Sequence, residues 1–351
     1  MPEPIRIPAD VARDAAVDIL AAHGVPAAQA AQVAAALIAA DLRGIDTHGL
    51  ACLKDYVAAL DEGRIKAQPK IAVTRRFPWA ATVDADNGLG PLAASEGMRL
   101  AVEAAESFGI GAAAVIRSNH FGAAGVYAAM AAEKGCIGIV AANASAVAAP
   151  HGAATPLLGT NPLAVAVPAG NQPPLIIDMA TSEGSRKKVR KALDEGRPIP
   201  AGWALGPDGR PTTDPAAALK GVMLPFGGAK GSALCLLVDV LAGVITGAEF
   251  GGRVLSVMTN QERESGNGHF MLAFKADAFI AEADFVRRME EEIARLRALP
   301  AAAGFDAVAY PGERSAKKRA DRLASGIPMS AALIDGLVAL GGGRLLSGGR
   351  G

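Results

Sequence analysis

Alanine-rich segments with helical spacing alternate with short aliphatic runs between residues 9 and 195, which limits the chain to folds that combine helices with a sheet. The predicted helices are 9–23, 26–42, one that follows Gly49 and ends at Gly63, 91–108, 123–134 and 182–195. The predicted strands are 71–74, 80–84, 112–116, 137–142, 163–168 and 175–178. Runs of this length, bounded by turn residues, are typical of strands. The chain is therefore expected to be of the α/β class.

The second half of the chain is predicted to be more helical and ends in a glycine-rich segment. After a polar loop at 196–214, the predicted elements are a helix at 230–247, a strand at 269–274, a helix at 278–298 capped by Asp277, and helices at 313–325 and 330–340. The tail 341–351 is expected to be disordered.

Composition and charge exclude several classes of protein. Lys+Arg and Asp+Glu both number 35, and this balance argues against a nucleic-acid binder, which normally carries a basic excess. The longest apolar run, 233–248, is interrupted by Asp239 and is shorter than the roughly 20 residues that span a bilayer. The three cysteines are odd in number and lack metal-ligand spacing, so neither a disulfide scaffold nor a metal site is predicted. No apolar signal core follows Met1, and a cytoplasmic location is expected.

The common catalytic and cofactor motifs are missing or misplaced. The nearest match to a Rossmann turn, 109–114, follows a predicted helix and precedes a strand, which is the wrong order. The segment 228–232 lacks the full pattern of a phosphate-binding loop. HExxH, CxxC and GxSxG are absent. Standard motifs therefore leave the reaction open.

Polar residues nevertheless stand at predicted strand ends and helix starts, where α/β proteins place ligand-binding groups. These residues are His48, the segment 118–120, Asp178 and Lys230. Each has a structural alternative, namely a hydrogen-bonded histidine, a helix cap or a solvated helix end. The remaining histidines, His23, His151 and His269, are interpreted as structural.

Eight segments, taken together and in order, resemble the malate/L-lactate dehydrogenase family of NAD(P)-dependent oxidoreductases, which is unrelated to the Rossmann lactate dehydrogenases. The segments are DTHG at 46–49, SNHFG at 118–122, PHG at 150–152, GTNP at 159–162, DMATS at 178–182, PIPAGWA at 198–204, PFGGAKG at 225–231 and PGE at 311–313.

The resemblance implies a fold, an assembly and a reaction. The implied fold has a central, largely antiparallel mixed sheet as a non-Rossmann NAD(P)-binding domain, with helical N- and C-terminal parts packed together. The implied divisions are 1–75, 76–250 and 251–340, with 341–351 as the tail. A homodimer with the active site near the interface is expected. The reaction interconverts small 2-oxo and 2-hydroxy acids, although one branch of the family reduces cyclic imino acids.

Site residues are also implied by the resemblance. His48 matches the catalytic acid/base, with Thr47 beside it, and His120 is the alternative acid/base. Thr160 matches a substrate-side position, and Lys188 matches a lysine that polarises the carbonyl. The residues that match cofactor-binding segments are Ser118, Asn119, His120, Phe121, Gly122, Asp178, Met179, Ala180, Lys230, Gly312, Glu313 and Arg314.

The preferred cofactor is suggested by a run of cations. Arg314, Lys317 and Lys318 are suited to the 2′-phosphate of NADP, which favours NADP over NAD. A solvated helix face explains the same residues equally well.

Two departures from the family pattern bear on the substrate. Many relatives carry an arginine four residues after the catalytic histidine, where it binds the substrate carboxylate, and this chain has Cys52 there. Either another cation such as Arg43 or Lys54 replaces it, or the substrate is not a simple 2-oxo acid. Lys187 stands where relatives usually have glycine. A cyclic-imine reductase, which the segment 225–234 resembles, and a cofactor-binding protein without catalysis remain as alternatives.

Overall fold

The computed structural model describes residues 4–257 and 264–348. Its α-helices are α1 (Ala9–Ala22), α2 (Ala27–Leu42), α3 (Leu53–Asp61), α4 (Gly90–Phe108), α5 (Ala124–Ala132), α6 (Arg186–Asp194), α7 (Pro215–Lys220), α8 (Ala229–Asp239), α9 (Glu282–Arg297), α10 (Glu313–Ser325), α11 (Ala331–Ala339) and α12 (Leu345–Gly348). Two 3₁₀-helical turns, Asp46–His48 and Leu50–Cys52, precede α3, and a π-helical turn, Val240–Val244, continues α8.

The strands in the same residues are β1 (Ile5–Ile7), β2 (Ala72–Phe77), β3 (Ala80–Asp84), β4 (Ile110–Ser118), β5 (Cys136–Ala142), β6 (Leu163–Ala169), β7 (Gln172–Met179), β8 (Ala204–Leu205), β9 (Pro211–Thr212), β10 (Val222–Met223), β11 (Asn267–Lys275) and β12 (Ile327–Met329). Seven of them form the central sheet in the order β2-β3-β4-β11-β5-β6-β7. β3 and β4 pair in parallel, and the other described pairs of this sheet are antiparallel. The predicted largely antiparallel mixed sheet is confirmed.

Small residues bring the helices close to the sheet. α4 packs on β3, β4 and β11, and α5 packs on β5, β6 and β7. A Cβ atom at Gly111 of β4 would lie 2.1 Å from the carbonyl oxygen of Ala101 in α4, so glycine is needed at this contact. Alanine and valine fill most of the shared core, which explains how a chain with only 4% aromatic residues builds a dense interior.

The two ends of the chain fold together. The buried side chains of α1, α2 and α3 share one core with those of β12, α11 and α12. β1 pairs antiparallel with β12, with Ile7 opposite Ile327. The predicted packing of the helical C-terminal part on the N-terminal part is confirmed.

A small lobe carries α6. The three-stranded sheet β10-β8-β9 packs with α6 and α7 around a separate core that includes Val189, Ala192 and Met223. β8 and β9 lie in the segment 196–214, which was predicted as a loop. Strands of two residues leave almost no periodic signal in a sequence, and their pairing depends on partners elsewhere in the chain.

Three predicted boundaries differ from the structure. Asp277 does not cap α9, because its carboxylate pairs with Lys275 at 3.2 Å and Ala281 occupies the N-cap position. α6 begins later than predicted because Ser185 caps it by accepting the N–H of Lys188 at 3.2 Å. The predicted disordered tail contains α12, and residues 349–351 lie outside the described part of the chain. In the described ranges, no helix combines the length and the apolar character needed to cross a bilayer.

Candidate active site

A buried carboxylate fixes the turn that carries His48. Asp41, at the end of α2, accepts the N–H of Leu50 through Oδ2 at 2.8 Å. A Cβ atom at Gly49 would lie 2.0 Å from Oδ1 of Asp41, so only glycine allows this approach. Arg322 of α10 donates to the carbonyl oxygen of Asp41 and to the carboxylate of Asp46. The C-terminal part of the chain therefore clamps the His48 turn.

Two imidazoles meet beside this turn. The His48 and His120 rings stack with 5.7 Å between centroids and 24° between planes. The Tyr56 hydroxyl donates its proton to the carbonyl oxygen of His120 at 3.1 Å. The same hydroxyl oxygen lies 2.9 Å from Nδ1 of His120, so it accepts a hydrogen bond from Nδ1–H. His120 is thereby held in one neutral tautomer, with the lone pair on Nε2. The hydroxyl of Thr47 lies 2.9 Å from Nδ1 of His48.

Burial keeps both rings neutral near pH 7. It lowers the pKa of His48 to about 4, and the positive charge of Lys187 contributes to the shift. Burial also lowers the pKa of His120 to about 3, with smaller contributions from His48 and Lys187. Each ring is therefore poised to accept a proton or a hydrogen bond.

A cavity of about 270 Å³ opens against the two rings. Its volume is near the lower end of the roughly 300–1,000 Å³ that is typical of small-molecule sites. The lining residues are Ile45, His48, His120, Phe121, Gly122, Ala123, Ala124, Asn143, Ala144, Thr160, Pro162, Asp178, Ala180, Asn267 and His269. The structure thus brings seven of the predicted site residues into one wall: His48, His120, Phe121, Gly122, Thr160, Asp178 and Ala180.

Other predicted residues support the wall from behind. Asn119 donates to Oδ1 of Asn87 at 3.0 Å and to the carbonyl oxygen of Gly88 at 2.8 Å, and it is fully buried. The Ser118 hydroxyl lies 2.9 Å from Nε2 of His269. Asp178, which itself lines the cavity, accepts the N–H of Gly125 at 2.9 Å, which ties the end of β7 to the start of α5.

Cys52 and Lys188 do not line the cavity. Cys52 is fully buried, and its thiol contacts the carbonyl oxygen of Thr47 at 3.5 Å. Burial raises the pKa of this thiol to about 11, so Cys52 is a neutral packing residue. The ammonium of Lys188 lies 5.9 Å from the centroid of the Trp203 ring.

The remaining predicted residues lie elsewhere on the fold. Met179 is half-buried on β7, and Lys230 is exposed in the first turn of α8. Gly312 precedes α10 with a φ of +97° and packs on the backbone of β7. The Glu313 carboxylate pairs with Arg297 at 3.0 Å and Lys317 at 3.5 Å, whereas Arg314 is exposed.

Sequence reasoning missed the contribution of β11. This strand lies between β4 and β5 and brings Asn267 and His269 into the wall beside Asn143. The His269 ring stacks on Phe121 with 4.4 Å between centroids and 8° between planes. No local signal marks these residues, because the pairing joins positions more than 120 residues apart, such as Gly268 with Asn143.

The cavity suits a flat aromatic ring. Alanine side chains at 123, 124, 144 and 180 leave a smooth wall. Gly122 has a φ of +79°, and a Cβ atom there would lie 3.1 Å from the carbonyl oxygen of His48. The side chains of Asn143 and Asn267 also line the cavity and add polar groups to it. These features fit the nicotinamide of a dinucleotide cofactor.

The mixed, largely antiparallel sheet is not a Rossmann fold, and the cavity beside it holds two neutral imidazoles. The chain belongs to the malate/L-lactate dehydrogenase family, whose family model matches residues 7–338.

Individual relatives cover nearly the whole chain. An L-sulfolactate dehydrogenase of Methanocaldococcus jannaschii is 37% identical over 87% of this chain and 88% of that protein. A (2R)-3-sulfolactate dehydrogenase (NADP(+)) of Chromohalobacter salexigens is 38% identical over 80% and 86%. A Delta(1)-pyrroline-2-carboxylate reductase of Ancylobacter novellus is 35% identical over 97% and 99%. The solved sulfolactate dehydrogenase from M. jannaschii superposes with a TM-score of 0.90 at 34% identity, covering 97% of both chains.

Proposed function

We propose that the protein interconverts a small 2-oxo acid and its 2-hydroxy acid, with a nicotinamide cofactor and with His48 as the acid/base. One observation carries the proposal: His48, His120 and Thr160 line one cavity of about 270 Å³. That volume suits a short-chain acid beside a flat ring. The relatives named as sulfolactate dehydrogenases support a substrate with an acidic group next to the reacting carbon.

The mechanism assigns each proton to an atom of this chain. A reduced nicotinamide bound here would supply the hydride for the carbonyl carbon in the direction of reduction. Thr47 occupies Nδ1 of His48, so Nε2 is the nitrogen left to exchange a proton with the substrate oxygen. In the direction of oxidation, neutral His48 accepts the hydroxyl proton, and its pKa of about 4 leaves it in the base form near pH 7. In the direction of reduction it must first be protonated, which a nearby substrate carboxylate favours.

His120 has a positioning role in this proposal. Tyr56 holds its Nδ1–H, so Nε2 is available as a hydrogen-bond acceptor. A fixed acceptor orients a substrate hydroxyl or the cofactor amide without moving a proton.

An imine reductase is the second candidate function. The relative named as a pyrroline-2-carboxylate reductase covers 97% of this chain, which supports it. Both candidate substrates carry a carboxylate beside a C=O or C=N bond, and both need one proton and one hydride.

A reductase panel separates the candidates. Pyruvate, oxaloacetate, 3-sulfopyruvate and piperideine-2-carboxylate are tested with NADPH and NADH at 340 nm, with His48→Asn as the control. We expect the highest kcat/KM on a 2-oxo acid. A preference for the cyclic imine would instead support the second candidate, and cofactor binding without turnover would support a non-catalytic protein.

We also propose NADP as the preferred cofactor. Arg314 is exposed at the start of α10, and Lys317 and Lys318 follow on the same helix. The ratio of kcat/KM with the two cofactors in the same panel tests this preference. A ratio that favours NADH would contradict it.

We further propose a homodimer. An apolar face on α8 and the π-helical turn exposes Leu236, Leu237, Val240, Val244 and Ile245. A contiguous apolar surface of this kind is typical of protein–protein interfaces. Light scattering of the purified chain should give twice the mass of one chain, and Leu237→Glu should give monomers.

A further inference from the structure

The cavity itself offers no cation to an anionic substrate. Among the described residues that line it there is no lysine or arginine, and Asp178 adds a carboxyl group. A buried carboxylate without a partner is costly, so a substrate acid must find a positive group nearby. The two cations considered from the sequence do not fill this place. Lys54 is exposed on α3, and the positive charge of Arg43, at the end of α2, already interacts with the charges of Glu133 and Asp178.

The first turn of α6 carries three cations, and two of them are engaged elsewhere. The guanidinium of Arg186 donates to the carbonyl oxygen of Leu219 at 2.5 Å. The ammonium of Lys188 lies over the Trp203 ring. Lys187 instead donates to the carbonyl oxygen of Thr47 at 2.8 Å, which places its charge beside His48.

The packing of the lobe around α6 fixes the orientation of the helix that carries Lys187. Val189 and Ala192 are buried in the core of the lobe, and Ser185 caps the helix, so α6 is fixed on the side opposite its exposed lysines. One of the three N–H groups of an ammonium is used at Thr47, which leaves two for a ligand. The charge of Lys187 also depresses the pKa of both imidazoles, which is consistent with close approach.

We propose that Lys187 binds the carboxylate of the substrate and holds the acid with its reacting carbon beside His48. This inference rests on the proposed function and specifies how the site recognises its substrate. Substrate binding also favours protonation of His48, because a carboxylate bound to Lys187 cancels the positive charge that disfavours it. The bound acid thereby prepares His48 to donate a proton.

The experiment compares an acid with its neutral ester in the intact enzyme. Lys187→Met, Lys187→Arg and the control Arg190→Met, which removes an exposed cation from the same helix, are assayed with pyruvate and methyl pyruvate. We expect Lys187→Met to raise KM for pyruvate about 10- to 100-fold, as for the loss of one charged hydrogen bond. KM for methyl pyruvate and NADPH should stay within about two-fold, and Lys187→Arg and Arg190→Met should resemble the wild type.

A binding readout separates this proposal from the reaction itself. Calorimetric titration with oxamate, an unreactive anion of similar shape, should show the same 10- to 100-fold weakening in Lys187→Met of the NADPH-loaded enzyme. Equal losses for acid and ester would mean that Lys187 only supports the Thr47 turn, and unchanged oxamate affinity would also overturn the proposal. A wild type that binds oxamate but reduces no 2-oxo acid would count against the proposed function alone.

Discussion

Two stacked imidazoles occupy one wall of the cavity, and their environments differ. Both rings are half-buried and line the cavity, but His48 has Thr47 on Nδ1, whereas His120 is bonded to Tyr56. Because Tyr56 fixes the tautomer of His120, His120 is the better fixed acceptor and His48 the better proton carrier. The sequence pointed to both histidines through resemblance. It could not rank them by environment, because Tyr56 approaches His120 from a helix 64 residues away.

The pH dependence of hydroxy-acid oxidation tests whether the catalytic base is a buried, neutral imidazole. Burial and Lys187 lower the pKa of His48 to about 4, so its base form persists well below the usual histidine range near 6.5. We expect kcat/KM to change little between pH 8 and 6 and to fall only toward pH 4. Lys187→Met should move this acid limb to higher pH. His48→Asn should lower kcat about 10²- to 10⁴-fold, and His120→Asn should cost less. A limb at pH 6.5 in the wild type would contradict this assignment.

At the scale of the elements, a buried carboxyl group that costs stability when ionised lies where α2 meets the His48 turn. Asp41 is buried, and burial raises its pKa to about 7. The sequence marked neither Asp41 nor its role, because its partner Leu50 and the clamp Arg322 come from separate elements. The longer helices and strands were predictable because their periodicity is local. β1, β12 and the small β8–β10 sheet were not, since each depends on a distant partner.

Asp41→Asn is expected to stabilise the fold near neutral pH. The folded pKa of Asp41 lies above that of the unfolded chain, so folding is penalised increasingly as pH rises from about 4 to about 7. The amide keeps an acceptor for Leu50 without this penalty. The free energy of unfolding should exceed that of wild type by up to about 4 kcal/mol at pH 8, with little difference at pH 4. Urea unfolding at both pH values tests this, with exposed Asp194→Asn as control. A gain that is independent of pH would refute it.

At the scale of the whole molecule, the two ends of the chain share one hydrophobic core. The N-terminal core takes in Ile327, Ile334, Leu337 and Leu345, so α1–α3 need residues 327–345 to bury their apolar faces fully. Arg322 of the C-terminal part also contacts the His48 turn, through hydrogen bonds to Asp41 and Asp46. The resemblance indicated that the terminal parts pack together. It did not indicate that the glycine-rich tail also packs in this core.

Neighbouring leucines in that tail give a matched test of the closure. Leu345 is 2% exposed in the N-terminal core, whereas Leu346 is 56% exposed. Leu345→Ala removes buried apolar volume and should lower the free energy of unfolding by about 2 kcal/mol or more, and Leu346→Ala should change it by less than about 0.5 kcal/mol. Because it destabilises the shared core, Leu345→Ala should also lower the temperature at which activity is lost. Thermal and urea unfolding of the two variants measure the difference. Equal stability would mean that the segment is not anchored, as expected of a disordered tail, and that the N-terminal core closes without it.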